Sequence, residues 1–369
     1  MDAPICLFMC GDVMTGRGID QILPHPCDPQ LFERYVRDAR DYVRLAEAAY
    51  GRIPRPVPYD YIWGDALDEL DRAGTDGRII NLETSITTSD DYWPDKEVHY
   101  RMNPQNIGCL TAARIGCCAL ANNHVLDWGY EGLAQTLATL NDAGIQHAGA
   151  GANAAEAQAP AVLEAAGKGR VRVFSFGSTT SGIPPEWAAA EDRPGVNLLP
   201  DLSEETSRRV AAQIRDFKAP GDLAVVSIHW GGNWGYEIPP AQITFAHRLI
   251  EEGVDLVHGH SSHHVKALEV YKGRAILYGC GDFLTDYEGI PGYEAYRGDL
   301  AVMYLVKLAP AQGQLVELRL VPMQVRHLRL NHASAADAQW LRQMLNREGA
   351  PFGTKVSLNG DNALIVRFP

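Results

Sequence analysis

Ala121-Asn122-Asn123-His124-Val125-Leu126-Asp127-Trp128-Gly129 follows a short apolar run, Ile115-Gly116-Cys117-Cys118-Ala119-Leu120, that has the pattern of a buried parallel strand. It precedes Glu131 to Ala143, where Leu133, Leu137 and Leu140 recur at helical spacing. Asn122, Asn123 and His124 therefore fall on a strand-to-helix turn at the carboxyl edge of a sheet, where α/β proteins build their sites. An amide, an imidazole and the carboxylate of Asp127 can supply a metal ligand, a proton donor and the group that orients it. Turn chemistry accounts for the same residues, because Asn favours such turns and a strand-end His is often simply packed.

Working outward, other apolar runs end in the same way. Ile5 to Cys10 leads to Gly11-Asp12, and Arg78 to Leu82 ends on Glu83. Leu223 to Ile228 ends on His229, and Val254 to Val257 runs into His258-Gly259-His260-Ser261-Ser262-His263-His264. Val171 to Gly177 and Ala275 to Tyr278 are further strands, the latter leading to Gly281-Asp282-Phe283. Helical patterns at Asp65 to Ala73, Pro104 to Arg114, Ser203 to Phe217 and Pro239 to Glu252 alternate with them. Strands separated by helices indicate βαβ units and a mixed sheet covered on both faces.

Prolines at 24, 26, 29, 54, 56 and 58 bracket Leu31 to Tyr50, which predicts a helical insertion within 20–60 at the mouth of the site. Ala-rich 152–166 reads as helix plus loop rather than a domain boundary. Beyond Asp299 the pattern becomes hairpin-like, with a helix from Ser334 to Glu348 opened by a Ser334/Asp337 capping pair and a last strand at Ala363 to Phe368. The expectation is one domain over residues 1–369, with 300–369 completing the fold.

The 369 residues carry a formal charge of −13, which excludes nucleic acid as a natural partner and disfavours anionic membrane surfaces. The seven cysteines form no CxxC pair and read as free apolar thiols. No basic-flanked leader and no bilayer-length apolar run is visible, so a cytoplasmic location without an integral membrane segment is expected.

Asp12, Glu83, Asn123, His229 and the His260/His263 pair thus stand at the ends of separate strands. Taken singly, a strand-end carboxylate is commonly a helix cap and a strand-end His commonly structural. Strands of one parallel sheet end on one edge, however, and convergence of these O and N donors suits a borderline divalent metal.

These motifs also carry a resemblance. Gly11-Asp12-Val13-Met14-Thr15-Gly16-Arg17, Asn81-Leu82-Glu83, Asn122-Asn123-His124, His229-Trp230-Gly231 and Gly259-His260-Ser261-Ser262-His263 fall in the order of the capsule-biosynthesis CapA (poly-γ-glutamate synthesis) family, a branch of the calcineurin-like metallophosphoesterases. Gly279-Cys280-Gly281-Asp282-Phe283 is similar to its last motif. The resemblance implies an α/β fold, a four-layer α/β/β/α metallophosphoesterase-like sandwich with mixed sheets, holding one or two divalent ions (Mn, Fe or Zn). It implies that Glu83 bridges the ions, that Asn123, His229 and His260 complete one site, and that Asp12 and His263 serve the other. It makes His124 the proton donor, held by Asp127, and a small anionic, phosphoester-like compound the substrate of a metal-activated water.

Met14 stands where the wider superfamily has a His ligand, so the first site is expected to be completed by water or a nearby residue such as His264. Arg17, Arg101 and Arg297 lie beside Gly- or Pro-punctuated loops and are candidates to clamp the anion, surface ion pairs being the competing reading. His258 and His264 flank the ligand pair and are expected to orient it. Two other functions remain open: amide or γ-glutamyl metabolism at the same metals, and a non-catalytic binding protein whose metal site has decayed.

Overall fold

The computed structural model describes residues 3–310 and 312–368. Two large sheets dominate. The first is ten-stranded, with Ile5–Val13 at its centre. On one side Gly77–Leu82, Cys117–Ala119 and Gln146–Ala148 add in parallel. On the other, Leu300–Leu308 and Leu315–Val325 add antiparallel. The second sheet is seven-stranded, with Gly169–Ser178, Leu223–His229, Leu256–His260 and Arg274–Leu277 parallel to one another.

Strand alternation sorts the cores. Ile5, Leu7 and Met9 join Leu223, Val225 and Leu256 in a core between the two sheets. Phe8 and Cys10 point the other way, packing with helix residues such as Leu70 and Leu133. Ala224, Val226 and Ile228 likewise face Phe245 and Leu249 of the Pro240–Glu251 helix. The fold is therefore mixed α/β, and all seven cysteines are buried and unbridged.

Most predicted elements are present, including the Ser334 capping box with Asp337. Two expectations need correction. In the 20–60 insertion only Arg40–Tyr50 is helical. Residues before it are drawn into a Gln30–Asp38 bridge, and the Asp38 carboxylate takes the Arg40 N–H at 2.9 Å, which starts the helix there. In the Ala-rich segment, Ala154–Gln158 is a helix, but Ala161–Ala165 is a strand antiparallel to Gly169–Ser178. Its apolar residues cover an edge that a loop would leave open. Among the described residues no helix is long and apolar enough to cross a membrane.

Candidate metal centre

Parity on the first strand directs Ile5, Leu7 and Met9 inward, which by simple alternation would send Asp12 outward. A register shift against Gly77–Leu82, where Met9 opposes Ile79 but Asp12 opposes Asn81, adds one residue and re-aims the side chain. Gly11 permits this, because a Cβ there would lie 1.6 Å from the Gly281 carbonyl oxygen. Asp12 consequently sits beside Asp282, with the Asn81 amide donating to it at 2.8 Å and the Ser261 N–H at 3.3 Å. Burial and the neighbouring Asp282 push its pKa up to about 7. Glu83, buried just past its strand, is raised by burial and by the charges of Asp12 and Asp282.

The second sheet brings its imidazoles to the same edge. Ser227 pairs with His258 and His229 with His260 across adjacent parallel strands. His258 Nε2 donates to the Cys10 carbonyl at 2.7 Å, so its Nδ1 is an acceptor. Ser227 then donates to His258 Nδ1 at 3.1 Å and accepts from His260 Nε2 at 2.8 Å. This relay leaves His260 Nδ1 as a bare electron pair, 2.8 Å from His229 Nδ1. On its other side, His229 Nε2 lies 3.0 Å from the Asn123 amide oxygen.

With that oxygen turned to the ring, either neutral tautomer of His229 leaves one electron pair facing another. A proton on Nδ1 opposes Nε2 to the amide oxygen; a proton on Nε2 opposes the two Nδ1 atoms. Burial holds both His229 and His260 well below the ordinary histidine pKa of 6.5, so a second proton is a poor remedy. A cation is a good one, and the donor set fits it: Asp12, His229 and His260 offer ligand atoms within 4.8 Å of one another.

A second group, Asp12, His263 and Asp282, meets the same criterion. His263 Nδ1 is 2.9 Å from Asp282 Oδ1, while Asp282 Oδ2 is buried without a hydrogen-bond partner. Burial opposes the charge on His263, but Asp282 outweighs it and raises the pKa. Asp12 is thus common to both groups, and Glu83, the residue expected to bridge, lies 3.7 Å from His229 Nε2.

Asp282 is the residue sequence reasoning left without a role, although its Gly-Asp-Phe motif was visible. It stands beside the Met14 deficit that His264 was expected to fill. His264 is in neither group: its Nδ1 faces the Val265 carbonyl oxygen, its Nε2 is buried without a hydrogen-bond partner, and its ring packs among Trp234, Tyr236 and Tyr296. His258 is linked to His260 through the Ser227 hydroxyl. Trp230 is core, its indole N–H donating to the Tyr278 carbonyl at 3.0 Å.

His124 faces Glu83, with Nε2 3.9 Å from Oε1. Its Nδ1 donates to Asp127 Oδ2 at 2.7 Å, and Asp127 also takes the Tyr100 N–H at 2.6 Å. Lys96, unremarked in the sequence, reaches Asp127 Oδ1 at 2.5 Å. Burial, with Lys96 and Arg17 nearby, holds His124 well below 6.5, and burial pushes Asp127 up to about 6.

The three arginines expected to bind an anion are already committed. Arg17 is bidentate to Asp286 at 3.2 and 2.5 Å and donates to Glu33 and Tyr42, both at 2.9 Å. Arg101 donates to the Ser89 carbonyl at 2.7 Å and to Asp90 at 2.9 Å, and lies over Trp128. Arg297 pairs with Asp299 and Asp337. Each neutralises local acid instead of presenting a free guanidinium.

Parallel strands of two sheets ending on one largely buried set of carboxylates, imidazoles and an amide define a mixed α/β protein built around a polar centre. Residues 6–287 match the family described as bacterial capsule synthesis protein PGA_cap, and the chain belongs to that family. It is 50% identical over 363 residues to a probable polyglutamine synthesis accessory protein of Mycobacterium tuberculosis, covering 98% of this chain and 96% of that one. Over 300 residues it is 28% identical to the PGA biosynthesis protein CapA of Bacillus subtilis, covering 80% of this chain and 66% of that one. Over 282 residues it is 27% identical to the capsule biosynthesis protein CapA of Bacillus anthracis, covering 76% and 60%.

Proposed function

We propose that this protein is a metal-dependent hydrolase of a small anionic, phosphoester-like substrate, working in capsule or polyglutamate-related metabolism. The carrying observation is that Asp12 joins two groups of candidate ligand atoms, His229 and His260 on one side and His263 and Asp282 on the other, each group within 4.8 Å. The names of the relatives support the metabolic setting. Two sheets with a core between them and helices over their outer faces support the four-layer α/β/β/α metallophosphoesterase sandwich, formed by one domain.

In this reading Glu83, Asn123, His229 and His260 hold one ion, His263 and Asp282 the other, with Asp12 shared. Bound Mn, Fe or Zn would polarise the ester and lower the pKa of water to about 7. The protein's own share is positional. Asp127 and Lys96 fix the His124 ring so that Nε2 faces the centre. The ring rests neutral with its proton on Nδ1, so Nε2 would accept the proton given up by the attacking water and pass it to the leaving oxygen.

Metal analysis and turnover of aryl and alkyl phosphoesters test this together. His260→Ala should lower both metal content and activity. His124→Ala should keep the metal and lose roughly 10²–10⁴-fold in turnover. Full activity of His124→Ala on every hydrolysed ester would remove its role. Cleavage of γ-glutamyl peptides but no phosphoester, read by product mass spectrometry, would move the reaction to amide chemistry.

A further inference from the structure

A cavity of about 450 Å³ opens beside the centre, between the 33–45 segment, Glu97-Val98 and the loop that follows Tyr287. Tyr100 and Tyr287 form the wall it shares with the centre. The Tyr100 ring stacks on His124 at 3.8 Å, and the Tyr287 ring lies edge-on to His263 at 5.4 Å. Their hydroxyls hydrogen-bond to each other. Two hydroxyls carry two protons and one bond uses one, so a single O–H is left at this junction for a ligand oxygen.

The chemistry of the lining selects what enters. Val36, Leu45, Val98 and Ile290 supply apolar surface. The charges cancel in pairs: Arg17 lies 2.9 Å from Glu33, and Arg34 lies 3.3 Å from Glu97. Asp286, behind Arg17, takes up the rest of that guanidinium. A carboxylate seated against the inner wall would lose hydration and meet Glu33, whose Arg17 partner is already engaged. An uncharged chain would gain from leaving water.

We infer that this cavity is the subsite for an uncharged, largely apolar part of the substrate, joined through an ester oxygen to the anionic head at the centre. The inference rests on the metal-hydrolase reading and narrows its substrate class.

Calorimetric titration of Mn²⁺-loaded protein with methylphosphonate, hexylphosphonate and γ-glutamylglutamate tests it. Each fully buried methylene is worth about fourfold in affinity, so hexylphosphonate should bind at least about tenfold more tightly than methylphosphonate. Ile290 is 45% exposed, so Ile290→Asp leaves the core intact and should bring the ratio of the two affinities near unity. Equal affinities in the wild type, or tighter binding of γ-glutamylglutamate, overturns the subsite. If neither phosphonate binds, the phosphoester reading fails separately. Methyl NMR shifts of Val98 and Ile290 on adding neutral hexanol then support the cavity alone, and their absence overturns it too.

Discussion

Ser227 decides which nitrogen of His260 is left bare, because its single hydroxyl must donate to His258 and can therefore only accept from His260. Removing that oxygen frees the His260 ring to rotate or to change tautomer. Ser227→Ala is expected to weaken metal affinity about 10–100-fold, as loss of a group that orients a ligand does. Competition against a chelator of known affinity measures this, and an unchanged affinity would dismantle the relay. Most of the residues that meet at the centre were legible in the sequence, because a parallel strand must end at a common edge and each of Asp12, Glu83, Asn123 and His229 follows an apolar run. Ser227 was not, since a serine inside Val225-Val226-Ser227-Ile228 is indistinguishable from small core filler. Nor could the sequence show that Arg17 is neutralised by Asp286, 269 residues away.

Among the elements, the parallel strands were the readable part and their fastenings were not. Asp222, just before the Leu223–His229 strand, takes Arg170 at 2.9 Å and Arg172 at 2.5 Å from the neighbouring Gly169–Ser178 strand. Burial opposes its ionisation, but Arg172, the Ala219 N–H and Arg170 outweigh it and depress the pKa below 3.8. A depressed carboxyl binds its proton less readily folded than unfolded. Its stabilisation is therefore complete above 3.8 and is lost as pH falls through the lower folded value. Asp222→Asn should cost about 2 kcal/mol at neutral pH, the loss of charge-assisted hydrogen bonds. The difference from wild type should shrink in denaturant melts as pH drops below 3.8. A cost independent of pH would mean that shape, not charge, clamps the strands. The Ala161–Ala165 strand escaped the sequence reading for a related reason: its role is to cover an edge, and nothing local in an Ala-rich run announces that.

For the whole molecule, the centre joins what the topology keeps apart. Asp12, Glu83 and Asn123 belong to the first sheet or the turns leaving it, whereas His229 and His260 belong to the second. Between them lies a core whose side chains are non-directional in their attraction. At the polar edge where the carboxyl ends of the two sheets meet, the buried carboxyls of Asp12, Asp282 and Glu83 repel one another. An ion that removes this repulsion should act as a cross-link between sheets. It binds the folded chain and not the unfolded one, so at one hundred times its Kd it adds about 2.7 kcal/mol. For a chain of 369 residues that corresponds to a Tm rise of roughly 3–4 °C when Mn²⁺ is added to chelated protein. Hydrogen exchange should slow together at the carboxyl ends of both Gly77–Leu82 and Leu256–His260, because the ion would take ligands from both sheets. Protection confined to one sheet would place the ion on that sheet alone. Indifference of both Tm and exchange to Mn²⁺, Fe²⁺ and Zn²⁺ would leave the fold without its centre.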